Sequence, residues 1–533
     1  MDHEMFSIVL DTLRKIEREK LSLETRLEMD KKGDFPEELI RFMLGPDIGL
    51  HLIFIPDEYG GLGASAVQIA KISEDMAKID MGIATSLLAI CLGMDPIRVG
   101  GTEEQKEKYI QRIADEGLIV GYGVTEPEAG SNVQALKTKA ERVLDEKGNI
   151  KGYRINGQKQ FITNGGVADL YTILADTPEG PSFFIVEKGT KGLLPGKHED
   201  KHGIRASDTA PITLEDVYVP AEHLVGGVEG EGLKQANRVF GYTRLMVASF
   251  GLAAGMSSLE KVIAYAKERV QFGTTLAEKQ GYTHKLLVPN VVRLEAARAY
   301  VEEVAARIDS GEEGLQVEGS IAKYFATEVG DAMANDGIQA LGGYGYIREY
   351  EVEKIKRDAK IGTIFEGTSE IQQNIISIFR LRETVRTKGA FYSSMSEELS
   401  SLPQESGGPI LSRAIWLLNE LLLCARRLKV TRLQYLMFLL ADMMTWVEVA
   451  KAACLKACSE EWEKTFSNEF TLAVARLFAR EAAEKVYINT AKILKGGHQA
   501  PDDLAEKLNS LALDKVFEGA LTDMDLVARE LVS

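Results

Sequence analysis

Apolar residues recur at three- and four-residue spacing through most of this chain, but between about residues 120 and 225 that period disappears. The runs LIVGYGV, YRINGQKQFIT, LYTILAD, SFFIVEK and APITLEDVYVP are short, rich in β-branched and aromatic residues, and separated by Gly, Asn-Gly and Pro. Such runs suit strands, whose side chains alternate between two faces and whose reversals need turn residues. Helical spacing flanks them, in AVQIAKISEDMAKIDMGIATSLLAICLG (66–93) before and LVPNVVRLEAARAYVEEVAARIDSG (287–311) after. The fold class expected is therefore α+β and mostly helical. An N-terminal helical domain (1–119) would precede a central β-barrel or sandwich domain (120–228) and a C-terminal four-helix bundle (229–382).

Beyond the bundle, ETVRTKGAFYSSMSEELSSLPQESGGPIL (383–411) is rich in Ser, Glu, Gly and Pro, shows no sustained period, and reads as a linker. Residues 412–533 are helical again and hold Trp416, Trp446 and Trp462. This extension reads as a degenerate repeat of the bundle. Ala322, Phe325, Ala326, Glu328 and Leu341 fall on Ala475, Phe478, Ala479, Glu481 and Leu494 at an offset of 153 residues, which also carries Glu295 onto Glu448. A Phe-Glu-Gly occurs in both copies, at Glu366 in TIFEGTSEIQ and at Glu518 in KVFEG.

Composition narrows the function. The net charge of −17 has the wrong sign for a protein that binds by neutralising phosphates, so no nucleic-acid partner is expected. The first residues lack the basic and apolar regions of a signal peptide, and no run reaches the ~18 consecutive apolar residues of a membrane span. The chain reads as cytoplasmic. Cys91, Cys424, Cys454 and Cys458 are too scattered for a disulfide framework and are expected as buried thiols, with no metal site.

Six motifs, in order and spacing, then carry a resemblance. YGVTEPEAGSNV (122–133), INGQKQFITNGG (155–166), ERVQFG (268–273), QALGGYGY (339–346), RDAK (357–360) and IFEGTSEIQ (364–372) resemble the acyl-CoA dehydrogenase family over residues 30–382, and the extension is similar to that of its very-long-chain branch. The resemblance implies an FAD-dependent oxidoreductase that forms a trans-2-enoyl-CoA. Dehydrogenation of an acyl thioester needs a base for the α proton, a hydride acceptor facing the β carbon, and hydrogen bonds to the thioester oxygen. Glu366 matches the family's base, with apolar Ile364 and Phe365 beside it, and its backbone N–H, with Gly367 following, matches the thioester-binding position. In the isovaleryl and long-chain branches the base lies elsewhere, at a position that here is Thr243, which cannot serve.

For FAD, the resemblance assigns Tyr122, Val124, Thr125, Gly130 and Ser131 to the strand and turn along the flavin ring. Phe161 stands where tryptophan is common, keeping the packing without the indole N–H, and Thr163 where a hydroxyl bonds flavin N5. Arg269, Phe272 and Gln280 match residues that reach the FAD of a neighbouring subunit, with arginine on pyrophosphate. Gln339, Gly342 and Gly343 match the adenosine end, and Thr368 and Glu370 lie near the phosphates. Arg244 and Ser131 match residues on the CoA side. Where glutaryl-CoA enzymes place arginine and tyrosine, this chain has Ala84 and Phe365, which with Leu88 favours an apolar acyl chain.

The second Phe-Glu-Gly lacks the following Thr-Ser-Glu, and its copy lacks a partner for ERVQFG, has Gly496-Gly497 one place late, and has no β module. Glu518 is expected to be structural. In the very-long-chain branch that it resembles, such an extension covers the surface that other members use for tetramers, which implies a homodimer here. Its segment 414–444, with Arg426, Arg427, Lys429 and Arg432, suits either packing on its own domain or peripheral membrane contact. Electron-transferring flavoprotein is the expected electron acceptor; the alternatives are an acyl-CoA oxidase or a non-catalytic assembly protein on the same fold.

Overall fold

The computed structural model describes residues 1–425, 428, 430–496, 506, 508 and 513–533. It divides into two compact units, Met1–Met246 and Val247–Ser533.

In the first unit, local signals set the helices. Ser65 and Gln68 form a reciprocal capping box at the start of Ala66–Ile79. The Asp80 carboxylate accepts from the Gly82 and Ile83 N–H groups at 2.9 and 3.0 Å, opening Met81–Gly100. By length and composition Met81–Gly100 could cross a bilayer, although no unbroken apolar run was expected to, but 83% of its most apolar window is buried within the protein. Seven strands follow: β1 (Val120–Gly123), β2 (Lys139–Leu144), β3 (Ile150–Thr163), β4 (Leu170–Thr177), β5 (Gly180–Glu187), β6 (Leu193–Pro195) and β7 (Thr209–Pro220). They make one mixed sheet in the order β1-β4-β2-β3-β7-β6, with β5 paired to β4. Strands β1 and β6 end that path without pairing to each other, so among the described residues the expected barrel does not close. The longest strand, β3, breaks register against β7 between Lys159 and Ile162, and Phe161 in that bulge has φ 57°.

The second unit is helical apart from a short hairpin that pairs Val270–Gln271 with Thr274–Thr275. Val288–Asp309, Gln316–Leu341 and Ser369–Arg386 pack with Gly408–Cys424, Gln434–Cys458, Asn468–Lys495 and Ala520–Val532 in one compact body. The stretch expected to be a linker is largely helix, with Ser369–Arg386 running into it and Ala390–Ser400 within it. Tyr392, Met395 and Leu399 supply a narrow apolar stripe whose members are all buried, and the surrounding serines hide that period from composition. Phe325 and Phe478, equivalent at the 153-residue offset, meet edge to face at 5.5 Å, and both rings contact Trp446. Cys91 and Cys454 are buried as expected, but Cys458 is exposed. Arg426, Arg427, Lys429 and Gly497 lie outside the described residues.

Candidate functional site

Residues matched to the flavin ring lie on β1, the turn after it, and β3. Backbone hydrogen bonds join the two segments: Gln160 N–H donates to the Thr125 carbonyl at 2.9 Å. The Asn164 amide donates to the carbonyls of Ser86 (3.0 Å) and Val120 (3.2 Å). Tyr122 and Val124 are buried, Thr125 and Thr163 half-buried, and Gly130 and Ser131 exposed. Phe161, turned outward by the bulge, is 65% exposed. An aromatic ring held in solvent by a left-handed backbone is a surface suited to a planar ligand.

Two residues that sequence reasoning missed hold this arrangement. Lys159, with no exposed surface, donates through Nζ to the Glu126 carboxylate at 2.7 Å and to the Val124 carbonyl at 3.2 Å. Glu126 also accepts from the N–H groups of Lys137 and Thr138, so the pair ties the turn to β3. Burial pushes the Lys159 ammonium down to about 8, against the pull of Glu126. Nothing local in QKQF marks this lysine as buried, because its partner is 33 residues away. Elsewhere in this unit Ala84, Leu88, Thr243 and Arg244 are all buried. Thr243 Oγ1 donates to the Val239 carbonyl at 3.3 Å, as a helical threonine does.

In the second unit, Arg269, Gln339, Gly342 and Gly343 line one open groove of about 560 Å³ with Tyr265, Tyr282 and Tyr344. Of the set that the resemblance assigned to a neighbour's FAD, Arg269 thus shares a wall with the residues assigned to the adenosine end. The Arg269 guanidinium lies 5.9 Å from the Tyr344 ring centre. A Cβ built on Gly342 or Gly343 meets nothing within 4 Å. Among the described residues nothing fills the space beside these glycines, which fits close approach by a bound group. Phe272 and Gln280 do not line the groove: Phe272 is 97% exposed on a hairpin with φ 52°, and the Gln280 amide donates to Asp525 at 3.2 Å.

Glu366 lies in the tight bend before Ser369–Arg386, half-buried, with φ 56°, followed by Gly367 at φ 92°. Side-chain donors fix the bend from beneath. Buried Gln372 donates to the carbonyls of Glu366 (2.8 Å) and Gly367 (3.3 Å), and buried Lys323 donates to Gly367 at 2.7 Å. Thr368 Oγ1 caps the helix by accepting from Ile371 N–H, while Glu370 is exposed in its first turn. Sequence reasoning named Glu366, Gly367, Thr368 and Glu370 but missed Gln372 and Lys323. Of its apolar neighbours, Phe365 is half-buried but Ile364 is 48% exposed. At the second Phe-Glu-Gly only Gly519 has positive φ, and Arg480 binds the carbonyls of Val516 and Glu518.

The N-terminal, middle and C-terminal domain profiles of acyl-CoA dehydrogenase match residues 3–117, 121–217 and 230–378. An acyl-CoA dehydrogenase of Bacillus subtilis is 38% identical over 364 residues, covering 67% of this chain and 93% of that protein. An acyl-CoA dehydrogenase from Bacillus anthracis solved with FAD superposes with a TM-score of 0.87 at 26% identity, spanning 100% of this chain and 95% of its own. A chain in the structure of the electron transferring flavoprotein of Acidaminococcus fermentans gives a TM-score of 0.66 at 35% identity, over 72% of this chain and 100% of its own. The motifs, the three domain matches and these relatives agree: this chain is an oxidoreductase that belongs to the acyl-CoA dehydrogenase family.

Proposed function

We propose that this chain is an FAD-dependent acyl-CoA dehydrogenase that forms a trans-2-enoyl-CoA, with Glu366 as the base, and passes electrons to electron-transferring flavoprotein. The observation that carries the reading is the conformation of Glu366, a non-glycine residue held at φ 56° by donors from two helices. A left-handed non-glycine residue costs on the order of 1–3 kcal/mol and persists only where the surroundings over-determine it, as they do at working sites. On this reading the Glu366 carboxylate takes the α proton and its N–H donates to the thioester oxygen. FAD, when bound, accepts the hydride from the β carbon. On this reading Tyr122, Val124, Thr125, Gly130, Ser131, Phe161 and Thr163 hold the flavin. Arg269, Gln339, Gly342 and Gly343 hold the nucleotide end, with Thr368 and Glu370 near the phosphates.

Ser131 and Arg244 serve the CoA side, and Ala84 and Leu88 favour an apolar acyl group because neither can pair with a terminal carboxylate. The almost fully exposed Phe272 supports a site shared between two copies in a homodimer, since such a ring gains by being covered. A tetramer in sedimentation analysis would count against the dimer. Anaerobic mixing of the FAD-loaded protein with a panel of acyl-CoAs tests the reaction, through loss of flavin absorbance. Glu366→Gln should slow that loss by about 10²- to 10⁴-fold; bleaching at the unmodified rate would remove Glu366 from its role.

A further inference from the structure

The two donors that grip the Glu366 bend each have a neighbour that grips the C-terminal extension. On Gln316–Leu341, Lys323 holds the Gly367 carbonyl, and the next residue, Tyr324, donates through Oη to Asp442 Oδ1 at 2.8 Å. On Ser369–Arg386, Gln372 holds the Glu366 and Gly367 carbonyls, and the next residue, Gln373, donates to Asp442 Oδ1 at 2.8 Å and to Tyr324 Oη at 3.0 Å. Asp442 sits in Gln434–Cys458 of the extension and is the acceptor on which both neighbours converge. Six residues on, the same helix places Glu448 against Arg380, at 2.8 and 2.7 Å, which fixes the far half of Ser369–Arg386.

We infer that Asp442 is a positioning residue for the reaction: the extension sets the geometry of the Glu366 bend by fixing the paired helices whose Lys323 and Gln372 hold it. The inference rests on Glu366 being the base. Asp442 is not among the residues that line the groove, and its carboxylate accepts from Tyr324 and Gln373, through which it acts. Adjacent residues on a helix point about 100° apart, so each helix presents one side chain to the bend and the next to the extension. A displacement of Gln372 or Lys323 moves a carbonyl that the bend depends on, and misplacing a reacting group by about 1 Å costs on the order of 10²-fold in rate.

The test uses the full chain loaded with FAD, in single-turnover flavin bleaching against acyl-CoA concentration. Asp442→Ala should lower the rate at saturating acyl-CoA by roughly 10- to 100-fold while the half-saturating concentration stays within about twofold. Asp442→Asn, which keeps an acceptor at the same place, should recover the rate to within about threefold of the unmodified protein. An unaltered rate in Asp442→Ala, an equal loss in Asp442→Asn, or a loss confined to the half-saturating concentration overturns the inference. If Asp442→Ala gives no FAD-loaded protein, Tyr324→Phe removes one donor and leaves the Gln373 bond. A slower rate there supports the inference and an unaltered one overturns it. Glu366→Gln run in parallel separates the two readings. Turnover by that variant removes the base assignment, whereas an inactive Glu366→Gln beside a fully active Asp442→Ala removes the role of Asp442 alone.

Discussion

Replacing Arg380 with methionine should unfold the second unit several degrees earlier. Arg380 is buried and makes three short charge-assisted bonds, two to Glu448 (2.8 and 2.7 Å) and one to Glu318 (2.9 Å), with its guanidinium 4.8 Å from the Phe391 ring centre. Methionine fills similar volume, so the loss is electrostatic: two buried carboxylates lose their main cation. Glu448 would keep the Tyr392 hydroxyl at 2.9 Å and Glu318 a weaker contact to Arg307 at 3.4 Å. Breaking one partner out of a buried ion pair costs about 3–5 kcal/mol. At about 2 °C per kcal/mol for a unit of this size, the thermal midpoint should fall by about 6–10 °C. Differential scanning calorimetry and urea unfolding measure it. Adding Glu448→Gln to Arg380→Met should return part of the loss, because the stranded charge is gone, with a coupling of about 1–3 kcal/mol. A single-variant loss below about 1 kcal/mol, or strict additivity in the double variant, would refute the claim that this network joins the extension to the bundle energetically.

Lys159→Met should weaken the first unit by roughly 2–4 kcal/mol, less than a fully stranded charge because Glu126 keeps two backbone donors, and should lower FAD retention. The same lysine gives a pH signature. Burial lowers it from 10.5 to about 8, so between those values the unfolded chain holds a proton that the folded chain has lost, and this group's stability contribution rises with pH. Denaturation midpoints between about pH 8 and 10 in Lys159→Met should lack that rise. Gly367→Ala should cost more than about 1 kcal/mol and slow turnover, since φ is 92° and the new Cβ would lie 2.6 Å from Gln372 Nε2; turnover at the normal rate would show that the bend tolerates a different shape.

What the sequence made legible was local or strongly periodic. The strand block at 120–225 announced itself through turn residues, and the motif around Glu366 through its neighbours. Ala390–Ser400 did not, because only Tyr392, Met395 and Leu399 form its buried stripe, and serines and glutamates between them leave a weak period. The supports of the site were illegible for a different reason. Lys159, Lys323 and Asp442 are charged residues whose partners lie 33, 44 and up to 118 positions away. Charged residues are usually exposed, so sequence offers no prior for a lysine inside a sheet. Barrel and sandwich stay open on sequence alone, since strand count does not reveal which edges meet; in the structure β1 and β6 do not pair.

Among the described residues nothing occupies the space where a Gly343 side chain would be, and its backbone is one that any residue can adopt. Folding alone therefore exerts no hold on this position, unlike Gly367, where both shape and conformation resist change. A library of variants sorted for solubility or thermal resistance would let larger residues accumulate at 343, and the proteins that emerged would be sound, well packed and, on the reading advanced above, unable to keep their nucleotide.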